Sequence, residues 1–213
     1  MSHYEKGYFD WQKDYGKFGG LVETFKFQPF IQPGDNVIDF GAGGGFLLNN
    51  LRCKGKMGLE INDSARAESK ALGVDSVKSV HEIPDNWADV IISNHALEHT
   101  FQPLDEIRSL YPKLKKGGKI LFCVPLEKVN HYKPNDINQH LYTWSEMNLG
   151  NLFTLAGYHV ISVKEIKYKW PPYFWVIRQK LGKFIFDLSC KIWARYKWKI
   201  SQVMVVAEKS NAL

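Results

Sequence analysis

A short apolar strand that leads straight into a glycine-rich turn carries the first chemical signal of this sequence. Residues 37–40 read Val-Ile-Asp-Phe, and Gly-Ala-Gly-Gly-Gly follows at residues 41–45. Glycines let the backbone approach a ligand closely and adopt positive φ. Asp39 can accept hydrogen bonds from a ligand or from the turn's own amides. Open α/β sheets bind nucleotides at the carboxyl ends of buried parallel strands, so we expect a nucleotide-like ligand here.

Two nucleotide-binding patterns compete for this turn. The dinucleotide fingerprint G-x-G-x-x-G requires a third glycine, but Phe46 occupies that position, which disfavours a nicotinamide oxidoreductase. An acid directly before G-x-G fits better when a second acid ends the next strand, and Glu60 supplies that acid. A carboxylate there can accept both ribose hydroxyl hydrogens. The alternatives are a plain tight turn and a Glu60 that faces solvent.

The pattern D-F-G-A-G-G-G followed by Glu60 resembles the class I S-adenosylmethionine (SAM)-dependent methyltransferases. Three further segments resemble the same family in the same order. They are Ala88–His99, in which an aspartate opens a strand and Leu-Glu-His follows it, then Leu114–Leu121, and His140–Ser145 followed by Ala156-Gly157-Tyr158. The resemblance covers residues 35–166 and 201–209. It implies SAM as the cofactor and an enzyme of the general methyltransferase class EC 2.1.1.-.

The resemblance also implies which residues contact the cofactor. The candidates are Asp39, Gly41, Ala42, Gly43, Glu60, Ile61, Ser79, Val80 and Asn94. Ser79 stands where family members usually carry an acid after the third strand, so His81 or backbone atoms could contact the adenine instead. Asn94 could hydrogen-bond the amino acid end of SAM, or it could simply cap a loop.

Histidines near the carboxyl edge of the sheet are the candidate catalytic groups. Methyl transfer from a sulfonium depends mostly on positioning and desolvation, but a hydroxyl acceptor needs a general base, which imidazole can supply at neutral pH. Four histidines are expected near that edge: His95, His99, His131 and His140. We select His140 and His99, with loop bracing as the alternative for each. Tyr142 and Trp144, which follow His140, could form a pocket wall.

Alternating strand and helix patterns predict a doubly wound, parallel α/β sheet. With the resemblance, we expect a Rossmann-like three-layer α/β/α sandwich whose seven-stranded sheet is mostly parallel and has an antiparallel last strand. The expected strands are 36–40, 56–61, 77–80, 88–93, 120–124, 158–166 and 202–208. The expected helices are 20–30, 46–52, one starting at 63, 104–114 and 144–156.

Length and composition fit one domain with a substantial core. The chain has 213 residues, of which 45% are hydrophobic and 14% aromatic. We expect a single SAM-dependent methyltransferase domain over residues 1–213, with an aromatic N-terminal segment (1–30) and a basic amphipathic insert (167–200) between strands six and seven. The sequence has no apolar run long enough to span a membrane and no signal-peptide pattern. Cys53, Cys123 and Cys190 lack metal-site spacing, so we predict reduced thiols, no metal and a cytoplasmic protein.

The positive charge of the chain is concentrated in the insert region. Residues 164–199 contain ten Lys and Arg residues but only two acids, Glu165 and Asp187. A nucleic-acid-binding protein would be basic more evenly, so we expect no nucleic acid partner. A long helix is predicted over residues 174–197. We expect one apolar stripe of it to pack on the sheet, namely Phe174, Ile177, Leu181, Phe184, Ile185, Leu188 and Ile192.

A second aromatic cluster on this helix comprises Trp175, Phe186 and Trp193. It requires cover from a substrate, a partner or lipid, so a substrate lid, a dimer surface and a membrane interface are alternatives. The expected function is methyl transfer from SAM to an oxygen or nitrogen of a small molecule, for example a sugar or a lipid-linked precursor. The alternative is a catalytically silent, methyltransferase-like binding module that the insert recruits to a membrane or a partner.

Overall fold

A mixed β-sheet of seven strands forms the centre of the molecule, in the order β3-β2-β1-β4-β5-β7-β6. The computed structural model describes residues 6–127, 131, 132, 134, 136, 138–197 and 200–210. The strands are β1 Asn36–Phe40, β2 Gly55–Leu59, β3 Asp75–Val77, β4 Ala88–Asn94, β5 Leu114–Glu127, β6 His159–Ile166 and β7 Ile200–Glu208. Strands β1 to β5 pair in parallel, whereas β7 runs antiparallel to both β5 and β6. The predicted fold class and the antiparallel last strand are confirmed.

Helices cover the sheet, and both of its faces are buried. The α-helices of the described residues are α1 Lys6–Val22, α2 Phe46–Asn50, α3 Asp63–Ala71, α4 Pro103–Leu110, α5 Glu146–Leu155 and α6 Phe174–Tyr196. Neighbouring strand residues belong to different cores: Ile38 and Ile91 to one cluster, Val37 and Ile92 to the other. Side chains alternate between the two faces of a strand, so a strand buried on both sides reads as a continuous apolar run. None of the helices in the described residues is long and apolar enough to cross a membrane.

The strand order reverses direction at β1. Strand β2 follows β1 on one side, whereas β4 lies on its other side. Such a switch point opens a crevice at the carboxyl ends of the strands, and ligands bind there in open α/β sheets. Asp39 lies one residue before the end of β1, in register with Gly58 of β2 and Ile92 of β4. The topology therefore places the glycine-rich turn at this crevice.

The N-terminal helix lies earlier in the chain than predicted. We expected a helix over residues 20–30, but α1 ends at Val22 and two short 3₁₀ turns follow. Gly16 and Gly20 lie within α1, where they allow close packing against α2. A Cβ atom on Gly16 would lie 3.1 Å from the Phe46 ring, and one on Gly20 would lie 2.5 Å from the Phe46 carbonyl carbon. Small residues were therefore selected by a tertiary contact, not by a chain turn.

Strand β3 ends earlier than the predicted strand over residues 77–80. The reason is a capping box that starts a short 3₁₀ turn directly after it. The Ser79 hydroxyl accepts a hydrogen bond from the His81 amide at 3.3 Å, and the Glu82 carboxylate accepts one from the Ser79 amide at 2.8 Å. These side-chain bonds replace the strand ladder, so Val80 lies in the turn.

Helix α6 exposes the face that we expected to be buried. The prediction that Leu181, Phe184 and Leu188 pack on the sheet is wrong, because these side chains are 54%, 81% and 49% exposed. In addition, Gly182, with a φ of 78° and a ψ of −179°, interrupts the helix. That conformation is essentially restricted to glycine. One helical wheel therefore does not describe the residues on both sides of the kink.

The buried face of α6 packs on α1. Phe186 and Cys190 are completely buried and form a small cluster with Phe18, Val22 and Tyr168. Of the second aromatic cluster, Phe186 is therefore core.

The two tryptophans of that cluster are only partly covered. Trp175 remains 46% exposed although its ring centroid lies 4.3 Å from that of Phe18. Trp193 is half-buried and stacks near Tyr196, at a centroid distance of 5.4 Å.

Candidate functional site

The turn after β1 presents backbone to the crevice. Gly41 and Gly43 have φ values of 72° and 53°. A Cβ atom on Gly41 would lie 2.3 Å from the Cβ of Ala96, so the close approach of this turn to the loop after β4 requires glycine. A Cβ atom on Gly43 would meet no atom within 4 Å, so this residue borders open space. The amides of Gly41 and Ala42 both donate to the Leu59 carbonyl, which ties the turn to β2.

Glu60 connects the turn to the end of β2. Its Oε2 accepts a hydrogen bond from the Gly43 amide at 2.8 Å, and its Oε1 accepts one from the Asn62 amide at 2.8 Å. The carboxylate thus lies at the crevice, as the spacing predicts, and it also holds the turn in place. Beside it, Ile61 presents an apolar side chain that is 62% exposed.

Asp39 is buried beneath the same turn, at 2% exposure. Burial, with a further contribution from the nearby Glu60 charge, raises the pKa of Asp39 to about 8. Its carboxyl group is therefore protonated at neutral pH and can donate a hydrogen bond. A cation bound next to it would favour the ionised form. Asp39 thus gives the crevice a neutral carboxyl group beside Glu60.

The remaining predicted cofactor residues lie along the same edge of the sheet. Ser79 caps the turn after β3, and Val80 is half-buried against the main core. Asn94 ends β4, and its side-chain oxygen accepts a hydrogen bond from the Lys26 ammonium at 3.0 Å. Their contact with a cofactor stays a prediction.

The structure brings the two predicted catalytic histidines together. The ring centroids of His99 and His140 lie 5.0 Å apart. His140 Nδ1 lies 3.4 Å from a Glu127 carboxylate oxygen, and His99 Nε2 lies 4.0 Å from Glu98 Oε1. Potential ligand atoms of Glu98, His99 and His140 all lie within 4.8 Å of one another. Because such a set could hold a metal ion, the expected absence of a metal site stays a prediction. His131 is exposed.

His95, which we did not select from the sequence, has the most distinctive surroundings of the four histidines. It follows the last residue of β4 and has a φ of 59°, an uncommon conformation for a residue other than glycine. Its Nδ1 lies 3.5 Å from Glu98 Oε1, and its Nε2 lies 3.2 Å from Gln202 Oε1. The position of His95 directly after β4 was the sequence signal that could have identified it as a site residue. Its contact with Gln202 could not be predicted, because Gln202 is distant in the chain.

Glu98 is a buried carboxylate behind these histidines. It is 0% exposed, and the ring nitrogens of His95 and His99 lie 3.5 Å and 4.0 Å from its Oε1. Burial alone would raise its pKa, but hydrogen bonding and charge attraction from His95, with a smaller part from His99, lower the pKa overall. A buried carboxylate requires compensating charge or hydrogen bonds, and the neighbouring His95 and His99 rings are positioned to supply them.

A cavity of about 490 Å³ opens beside His95. Aromatic side chains of the insert region form much of its wall, and His95 and Gln202 supply polar groups; the aromatic lining residues are Tyr168, Trp170, Tyr173, Phe174 and Trp193. The predicted wall residue Trp144 is instead buried in the main core, at 6% exposure. The insert thus contributes to a candidate acceptor pocket.

A buried ion pair lies at the edge of this cavity. Lys26 forms an ion pair with Glu23 and donates hydrogen bonds to Asn94 and Gln202. The Trp170 indole N–H donates to Glu23 Oε1 at 3.1 Å. Burial would lower the pKa of Lys26, but Cys123 and Glu23 outweigh burial and raise it. Lys26 therefore remains charged and connects the cavity to the end of β4.

The fold and the crevice define a Rossmann-like methyltransferase. Comparison with known families matches residues 16–163 to a family described as "Methyltransferase domain". The chain belongs to this family, within the class I SAM-dependent methyltransferases. SAM is the cofactor of the family, as the sequence resemblance implied.

Individual relatives agree with this family. The chain is 31% identical over 112 residues to a ubiquinone biosynthesis O-methyltransferase from Aliivibrio fischeri. The matched region covers 46% of this chain and 47% of the relative. The chain thus matches about half the length of that relative.

Among solved structures, a SAM-dependent methyltransferase from Archaeoglobus fulgidus superimposes with a TM-score of 0.69 at 16% identity, covering 95% of this chain and 99% of that one. A phosphoethanolamine N-methyltransferase from Haemonchus contortus in complex with SAM gives 0.64 at 15% identity, covering 89% and 52%. At these identities the two structures support the fold.

Proposed function

We propose that this protein transfers a methyl group from SAM to an oxygen or nitrogen atom of a small molecule. The observation that carries the proposal is the crevice after β1, where Gly43 borders open space between Asp39 and Glu60. The residues present fit the cofactor: a carboxylate suits ribose hydroxyls, an exposed Ile61 suits a flat apolar base, and a buried acid suits a cationic end.

Each predicted cofactor residue has a role in this proposal. Glu60 accepts the ribose hydrogens, and Ile61, Ser79 and Val80 border the adenine. Asp39 and Asn94 lie toward the amino acid end, while Gly41, Ala42 and Gly43 let that end pass over the turn. SAM supplies the methyl group on a sulfonium, which leaves the protein to position the acceptor and exclude water.

The cavity beside His95 is the proposed acceptor site. When a hydroxyl is methylated, its proton must leave, and His95, which lines the cavity, is the proposed acceptor of that proton once its Nε2 is released from Gln202. Glu98 then stabilises the resulting imidazolium. His99 and His140, the catalytic residues predicted from the sequence, remain candidates for the same step because ring nitrogens of both lie within 4.8 Å of a Glu98 carboxylate oxygen.

The acceptor class follows from the cavity lining. Aromatic rings such as Trp170 and Trp193 pack well against a sugar face or an apolar chain. A sugar or a lipid-linked precursor therefore fits. An oxygen acceptor also agrees with the name of the Aliivibrio relative, an O-methyltransferase of ubiquinone biosynthesis.

Isothermal calorimetry with S-adenosylhomocysteine tests the cofactor assignment. We expect the wild-type protein to bind and the Glu60→Ala variant to bind about 10- to 100-fold more weakly, since removing a buried hydrogen-bond partner costs roughly 1–3 kcal/mol. Asp75→Ala, an exposed acid on β3, is the matched control and should bind like the wild type. Equal affinity of the wild type and Glu60→Ala would refute the assignment.

The alternative function is a catalytically silent binding module recruited to a membrane or partner. The exposed apolar face of α6 favours it as the second candidate. Methyl turnover separates the two hypotheses. Incubation with SAM carrying a labelled methyl group and a panel of hydroxylated sugars, phenols and lipid extracts should label at least one acceptor. Tight cofactor binding without any labelling would favour the silent module.

A further inference from the structure

The outward face of α6 is an apolar surface on a helix held by its opposite face. Phe186, Cys190 and Ala194 are buried against the body of the protein. Large apolar side chains lie on the outward face after the kink, with exposures of 81% for Phe184, 44% for Ile185, 49% for Leu188, 59% for Ile192 and 69% for Tyr196. Isolated exposed apolar residues are normal, but a contiguous patch marks an interaction surface.

Basic residues continue the same face. Lys191 and Arg195 follow Phe184 and Leu188 at steps of three and four residues, so the four side chains lie in one row along the helix. Both basic residues are exposed. Asp187, the acid of this helix, accepts hydrogen bonds from Lys183 and from the Tyr168 hydroxyl. Its charge is therefore paired away from Lys191 and Arg195. The outward face therefore combines apolar and positively charged groups.

We propose that the outward face of α6 docks on an anionic lipid bilayer. An amphipathic helix with aromatic and aliphatic residues on one face can lie in the plane of the membrane interface. Lys191 and Arg195 can bury their stems along the apolar surface while their charges reach anionic headgroups. A second copy of the chain fits less well, because a two-fold interface brings the same patch of both copies together and would oppose these like charges.

Docking through α6 would also orient the proposed acceptor cavity. Phe174 and Trp193, near the two ends of α6, both line that cavity. A helix seated in the bilayer surface therefore places the cavity wall close to lipid, which would suit a lipid-linked acceptor. This consequence rests on the proposed function, whereas membrane binding itself requires neither SAM nor an acceptor.

Vesicle flotation of the full chain tests the inference. We expect flotation with vesicles of phosphatidylcholine and phosphatidylglycerol, weaker flotation at high salt, and little with phosphatidylcholine alone. The double variant Lys191→Gln/Arg195→Gln should bind about 30-fold more weakly, since each basic residue near an anionic surface contributes about fivefold. Phe184→Ser/Leu188→Ser should lose binding, whereas Leu155→Ser, an exposed apolar residue on α5, should not.

Several results would overturn the inference. Equal binding to neutral and anionic vesicles would contradict the role of charge, and no flotation at low salt would contradict docking altogether. A dimer that Phe184→Ser/Leu188→Ser converts to a monomer, without vesicle binding, would identify the face as a contact between copies. Calorimetry with S-adenosylhomocysteine keeps the two proposals separate. The α6 variants should still bind it, and a wild-type protein that does not bind it would contradict only the methyltransferase assignment.

Discussion

Asp39→Asn should stabilise the protein in a way that depends on pH. Folding raises the pKa of this carboxyl group from 3.8 to about 8, because the group is buried and lies near Glu60. Between these two values the folded state holds a proton that the unfolded state has released. The stability that Asp39 contributes is therefore complete below pH 4 and is lost as pH rises toward 8. Asparagine has the same shape and needs no proton.

The magnitude follows from the pKa. A solution at pH 7 lies about 3 pH units above the pKa of this carboxyl group in the unfolded chain. Folding must therefore take up a proton, at a cost of about 4 kcal/mol. Allowing for imperfect hydrogen bonding of the amide, we expect Asp39→Asn to raise the free energy of unfolding by about 2–4 kcal/mol at pH 7. The gain should shrink by about 1.4 kcal/mol per pH unit on acidification and vanish between about pH 5.5 and about pH 4, depending on its size at pH 7.

Urea denaturation of the ligand-free protein at pH 4.5, 6 and 7.5 measures this difference. The control is Asp75→Asn, an exposed acid on β3 whose substitution should change stability little at any pH. A difference between Asp39→Asn and the wild type that is constant with pH would refute the reasoning. A second readout is calorimetry of SAM binding in buffers of different ionisation enthalpy, where ionisation of Asp39 beside the bound cation should release a proton.

Two further substitutions test the site. Gly41→Ala should abolish cofactor binding and destabilise the fold, because its Cβ would lie 2.3 Å from Ala96 at a φ of 72°; thermal melting and calorimetry would detect both effects, and unchanged affinity would contradict them. Substituting His95, His99 and His140 singly by Gln should lower turnover about 100-fold or more for the true base while cofactor affinity stays constant. We expect the largest loss for His95; full activity of all three variants would mean that no histidine acts as the base.

The sequence alone was sufficient for the fold class and for the turn that follows β1. Strand β1 was predicted at residues 36–40, as observed, because a buried strand that ends at a glycine turn is defined by local residue types. The acid after β2 was placed at the crevice for the same reason, since only α2 and β2 separate Glu60 from the turn it contacts. The periodicity of apolar residues and the positions of glycine and proline specify strands and turns without knowledge of distant partners.

The tertiary structure decided the acceptor side. Lys26 reaches Asn94 and Gln202 across separations of 68 and 176 residues, and no local pattern encodes such contacts. Gly16 and Gly20 of α1 lie where Phe46 approaches, and Gly182 interrupts α6 with a backbone conformation that the residue pattern does not show. A helical wheel records which faces of a helix are apolar. Which of two apolar faces is buried depends on what packs against the helix, and here α1 covers one face and leaves the other exposed.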